Sequence, residues 1–133
     1  LKQLSTNNCH HVLIDKYINK EVVWMTVGLL EQIRDQLKSC NAVSSEREFC
    51  EQWLGKSACY MRTLRFTGTA PSADALSVCA SKLKWHEGHL SQSTQSHHVH
   101  WAGVFGKLHT QCIKAIETQA ERKWRSRNGV LHQ

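Results

Sequence analysis

An all-α, four-helix bundle-like single domain stapled by inter-helix disulfides is the fold this sequence predicts. Three observations carry the expectation. Apolar residues recur at gaps of three or four over long stretches, which is the period of one face of an α-helix. A single Pro interrupts 133 residues. The six cysteines are an even number, as a disulfide framework requires, and cysteines fall on the apolar stripes of all four expected helices.

The first helix spans residues 12–40. Ile14, Ile18, Val22, Met25, Leu29, Ile33, Leu37 and Cys40 form its inner stripe, and Val23, Trp24, Val27 and Leu30 widen it. A sector this broad must bury itself against more than one neighbour. Gly28 costs helix stability relative to Ala, and its place in the helix predicts the close approach of a second helix. Before it, residues 1–11 read as a polar lead-in pinned by Cys9, with His10 and His11 at the surface.

Ser45-Glu46-Arg47-Glu48 matches the S-x-x-E capping box and starts a second helix. Phe49, Cys50, Trp53, Leu54, Tyr60, Met61 and Leu64 are its apolar positions. In a continuous helix Cys50 and Cys59 point in opposite directions and reach different neighbours; Gly55 offers a place for the segment to break. Gly68 and Pro71 mark the clearest interruption in the chain. A third helix then runs from about Ser72 to Leu90, with Leu76, Cys79, Ala80 and Leu83 inward and Asp74 at the favourable end of the dipole. Residues 91–98 have no apolar period and read as an exposed loop. The fourth helix runs from near Val99 to about Trp124 or beyond, with Trp101, Phe105, Leu108, Cys112, Ile116, Ala120 and Trp124 inward. Gly103 and Gly106 permit close packing there.

Cys9, Cys40, Cys50, Cys59, Cys79 and Cys112 contain no C-x-x-C pair, which argues against zinc-ribbon and thioredoxin-like sites. They point to disulfides in an oxidising compartment. Six cysteines allow fifteen pairings, and the sequence does not choose among them. The chain opens at Leu1 without a basic-then-apolar leader, so a processed, exported protein is expected. No run of apolar residues reaches the length of a transmembrane helix.

Three constellations carry candidate chemistry. His86, His89, His97, His98 and His100 cluster in sequence and would hold zinc, copper or haem iron if they converged. Exposed imidazoles in a polar loop are the plainer reading. Trp85-His86-Glu87-Gly88-His89 is one residue short of the zincin motif, which excludes a metalloprotease. Arg122, Lys123, Trp124, Arg125 and Arg127 form the densest basic run, a candidate partner-binding surface. Trp53, Trp101 and Trp124 read as core, whereas Trp24 and Trp85 are less clearly internal. No nucleophile–base set, paired carboxylates, P-loop or dinucleotide fingerprint is present, and no enzyme is expected.

A net charge of +6 favours acidic partners. The leading expectation is an exported, disulfide-stabilised, non-enzymatic helical protein that binds another macromolecule. It would be a secreted ligand or effector, or a periplasmic inhibitor or immunity-type protein, with an acidic protein surface as partner and no cofactor. The absence of an N-x-S/T site leans towards the bacterial version or a small unglycosylated effector. The alternatives are a metal- or haem-binding protein using the histidines, and a basic nucleic-acid-binding protein with free thiols. Cysteine content argues against nucleic acid. A homodimer would hide part of the broad stripes.

Overall fold

The structure, a computed structural model, describes the backbone of residues 2–131 and the side chains of residues 20–126. Ile14, Ile18, Cys9, His10, His11 and Arg127 have their side chains outside that range. Five helices make up the described residues: α1 (Lys2–Ser39), α2 (Glu46–Trp53), α3 (Tyr60–Thr67), α4 (Ala73–Ser91) and α5 (Ser96–Leu131). The chain is all-α, and no helix among the described residues is long and apolar enough to cross a membrane.

Local signals set most of the boundaries. Ser45 Oγ accepts from the Glu48 amide at 3.1 Å, starting α2. The Glu48 carboxylate reaches back to the Ser44 amide at 2.9 Å and to its hydroxyl at 2.6 Å, one residue earlier than an ideal capping box. The expected second helix is two helices. It stops at Leu54 because Gly55 takes φ +64°, a left-handed conformation that suits glycine. Gly68, also at φ +64°, ends α3. Ser72, not Pro71, caps α4, accepting from the Ala75 amide at 3.1 Å. Two polar segments are more helical than their composition suggests: α1 begins at Lys2, inside the expected lead-in, and α5 at Ser96, inside the expected loop.

The core is built on an antiparallel pair, α4 and α5. His86 meets Phe105, His109 reaches the Ala80 carbonyl and Gln119 reaches the Pro71 carbonyl, so residues advance along α4 as they retreat along α5. Leu76, Cys79, Ala80 and Leu83 are buried from one side, and Ala102, Phe105, Leu108 and Cys112 from the other. α1 packs on α3 and α5, and α2 on α3 and α4. On α1 the inward line is Val27, Leu30, Ile33 and Leu37. Met25, expected on the inner stripe, is 73% exposed, and Trp24 is 75% exposed. The expected close approach at Gly28 is also absent: a Cβ there would meet nothing within 4 Å. Gly106 does allow a close contact, with the Glu87 carboxylate lying 3.1 Å from where its Cβ would be.

One ion network ties the two short helices to α1. Glu46, the first residue of α2, accepts from Arg34 of α1 and takes a two-pronged contact from Arg65 of α3 at 3.1 and 2.9 Å. The hydrogen bonds from Arg65, reinforced by those from Arg34, hold the Glu46 carboxyl below the usual carboxylate range. Cys59 makes no side-chain cap at the start of α3, and Cys50 is fully buried close to the Met61 and Tyr60 amides there.

Glu46→Ala is expected to cost about 1–2 kcal/mol of unfolding free energy, the range for charged hydrogen bonds discounted for partial exposure. Urea denaturation at neutral pH reads this. The folded-state pKa is lowered, so the contribution is present above the unfolded value near 4.5 and is lost as pH falls through the depressed folded value. A wild-type-to-variant gap that persists in acid would place the effect elsewhere.

Candidate functional site

A continuous stack of rings leads from the core to the surface at the junction of α2, α4 and α5. It starts at Trp53, the last residue of α2, which is buried. The His86 ring lies nearly parallel to it, with centroids 5.1 Å apart and planes at 21°. Phe105 closes the inner side, edge-on to Trp53 at 6.4 Å and to His86 at 6.1 Å. Trp101 then packs on Phe105 at 6.3 Å, and His100 on Trp101 at 5.4 Å. On the outer side Trp85 stands edge-on to His86 at 4.9 Å and packs against His89 at 3.8 Å. Trp85 is 58% exposed. Helical spacing explains this layout: residues 85 and 89 are one turn apart and share a face, while 86 turns inward towards α2.

Polar contacts hold the rings in place. Lys82 donates to the Gln52 carbonyl at 2.9 Å, satisfying one acceptor at the C-terminal end of α2, and its ammonium lies 4.8 Å from the Trp53 ring centroid. His89 bonds through Nδ1 to the Trp85 carbonyl at 3.0 Å. A carbonyl can only accept, so Nδ1 carries the proton in this contact. Burial, with Lys82 and His89 adding positive charge nearby, pushes the His86 pKa down. His86 is therefore a neutral imidazole at pH 7, acting as a flat, partly buried ring. Lys84 and Glu87 pair at 3.7 Å on the same helix.

The structure divides the five clustered histidines between different surroundings. His86 and His89 belong to the ring stack. His97 and His98 lie in the first turn of α5, their rings 4.2 Å apart, and His98 Nδ1 bonds Ser93 Oγ at 2.8 Å. His100 packs on Trp101. Among the described residues, no three or more His, Cys, Asp or Glu side chains are grouped to hold a metal ion. In the basic run, Arg125 is paired with Glu121 at 2.8 Å and lies over the Trp124 ring at 5.5 Å. Trp124, expected in the core, is half exposed, Lys123 is exposed and Arg122 is partly buried.

Cys40, Cys50, Cys59, Cys79 and Cys112 are free thiols, so the structure holds no staple among the described residues. Cys40 donates to the Leu37 carbonyl at 3.5 Å, and Cys59, exposed, lies 3.8 Å from Ser57 Oγ. Cys79 and Cys112 are both fully buried at the same level of the antiparallel α4–α5 pair. The neighbouring Cys112 thiol, together with burial, holds the Cys79 thiol above the ordinary range. Sequence reasoning missed two residues that organise the site. Lys82 caps a helix 30 residues away, and His109 bonds the Ala80 carbonyl at 2.9 Å across the helix pair. Neither has a local signature, because each partner is supplied by tertiary packing.

A model of a family of unknown function (DUF6626) matches residues 30–125. That span takes in the inward part of α1 from Leu30, all of α2, α3 and α4, and most of α5. No curated protein matches the chain, and no solved structure matches it.

His86 makes stability depend on pH. Its folded-state pKa is depressed, so its contribution is complete above the ordinary value of 6.5 and is lost as pH falls towards the folded value. His86→Phe keeps a ring in place and removes the titration. The variant is expected to lose less melting temperature than wild type between pH 7.5 and 5.5. Equal losses would show that His86 is not the titrating group.

Proposed function

The chain belongs to the DUF6626 family, and from that premise we propose that it is a non-enzymatic helical binding protein whose contact surface is the aromatic and histidine face of α4 and α5. The partner is a protein with an acidic surface. One observation carries this reading. Trp85 is more than half exposed while the ring stack behind it is rooted in the core at Trp53 and Phe105. A large ring held still before binding loses little entropy when a partner covers it, and rigid aromatic side chains dominate interface energetics.

Charge supports an acidic partner. The chain carries a net +6, and the face presents Lys82 over the Trp53 ring and close to His86. The basic run near the end of α5 is the weaker candidate, because Arg125 is neutralised by Glu121 and covers part of Trp124. Six cysteines in 133 residues support an exported protein in an oxidising compartment. Nothing in the ring stack offers a nucleophile beside a base: His86 is held neutral between rings, and the Nδ1 proton of His89 is engaged by its own helix.

The immobilised protein is the test. Wild type, Trp85→Ala and a charge-reversed basic run (Arg122, Lys123, Arg125 and Arg127 each to Glu) would be compared for partners retained from an extracytoplasmic fraction, then titrated with the purified partner. Trp85→Ala is expected to weaken binding about 30-fold, equivalent to about 2 kcal/mol, with the charge-reversed protein affected less. Unchanged affinity for Trp85→Ala, with loss on charge reversal, would move the surface to the end of α5.

A further inference from the structure

We propose that Cys79 and Cys112 form one disulfide with each other, a covalent modification site that joins α4 to α5 inside the core. Helix register places them together. His86 against Phe105, Ala80 against His109 and Pro71 against Gln119 define one antiparallel alignment, and in it Cys79 falls opposite Cys112. Small neighbours let the helices run close: Ala75 and Ala80 are buried on α4, and Ala115 is partly buried one turn beyond Cys112. Both sulfurs are fully buried, and each thiol perturbs the other's ionisation. A bond of about 2.05 Å would join two helices that already share an interface.

The other described cysteines have different neighbours. Cys50 is buried close to the amides that open α3, Cys40 donates to a carbonyl of its own helix, and Cys59 faces solvent beside Ser57. The inference rests on the proposed oxidising compartment only for its oxidant, a low-molecular-weight disulfide. In the first step a thiolate from one of the pair attacks that disulfide, forming a mixed disulfide and releasing one small thiol. The second cysteine, after losing its proton to solvent, attacks the protein-bound sulfur and expels the second small thiol. Two protein thiols are oxidised, one small disulfide is reduced to two thiols, and the protein loses two hydrogens. Because both sulfurs are shut away from solvent in the folded helix pair, the exchange takes place while α4 and α5 are still apart, during folding.

The experiment is oxidative refolding. Reduced, denatured protein is refolded in a mixture of reduced and oxidised glutathione, unfolded again without reductant, alkylated, and analysed by intact mass and peptide mapping. The expected product is 2 mass units lighter than reduced protein before alkylation, roughly the two hydrogens lost on forming one S–S bond, with the Cys79 and Cys112 peptides linked. It should also unfold at higher urea concentration than the same protein after reduction, a difference that Cys79→Ala abolishes. Cys112→Ala provides an independent control and should leave Cys79 open to alkylation after unfolding. Linkage of either cysteine to any other, or alkylation of both in refolded protein, would overturn the pairing. The readout needs no partner, so its failure leaves the Trp85 surface standing, and failure of partner binding leaves the pairing standing.

Discussion

The antiparallel contact between α4 and α5 is the constraint on which the other elements depend. It buries Leu76, Leu83, Phe105 and Leu108, each worth roughly 1.5–3 kcal/mol when removed from water. The hydrogen bonds from His109 and Gln119 to carbonyls at the edge of α4 are worth about 1 kcal/mol apiece. Apolar burial therefore supplies most of the stability, and the polar contacts choose the register. Register matters more than their energy suggests. A shift of one residue would rotate Phe105 away from His86 and Cys112 away from Cys79, dismantling the ring stack and the thiol pair together.

α2 and α3 show how the remaining helices lean on that pair. Each has eight residues, too short to be stable alone in water. Their formation depends on the Ser45 cap, the Arg34–Glu46–Arg65 network and the burial of Phe49, Cys50, Trp53, Met61 and Leu64. The consequence reaches the surface. The last residue of α2 is Trp53, the root of the ring stack, and Lys82 holds that end by its carbonyl. Exposed Trp85 is thus positioned by contacts that begin in the core. The family match begins at Leu30 and spans the whole of this arrangement, from the inward part of α1 to the part of α5 that crosses α4.

Much of the fold was legible because helix signals are local. The apolar period announced α1, α4 and α5; Ser45 with Glu48, and Gly68, marked ends that the structure keeps. The four-helix count failed at Gly55, whose left-handed backbone divides the second helix. Composition misjudged residues 96–98, where polar side chains face water from a helical backbone. The orientation of α1 was also misread. Its apolar sector is so broad that several inward faces are compatible with it, and the structure chose Val27 and Leu30 over Met25. Gly28 then falls on the open side.

By itself, the sequence determined that the chain is helical, where several of its helices start and stop, and that it is basic and cysteine-rich. These follow from backbone preferences, caps and counting, which need no knowledge of distant neighbours. Tertiary structure alone decided which residues meet. It turned His86 inward onto Trp53 and left His89 beside an exposed Trp85. It kept the five histidines from forming one cluster and gave Cys79 a facing thiol in Cys112. The physical reason is the same in each case. A contact between helices depends on the rotation and register of two elements at once, and local periodicity constrains neither tightly when the apolar faces are wide.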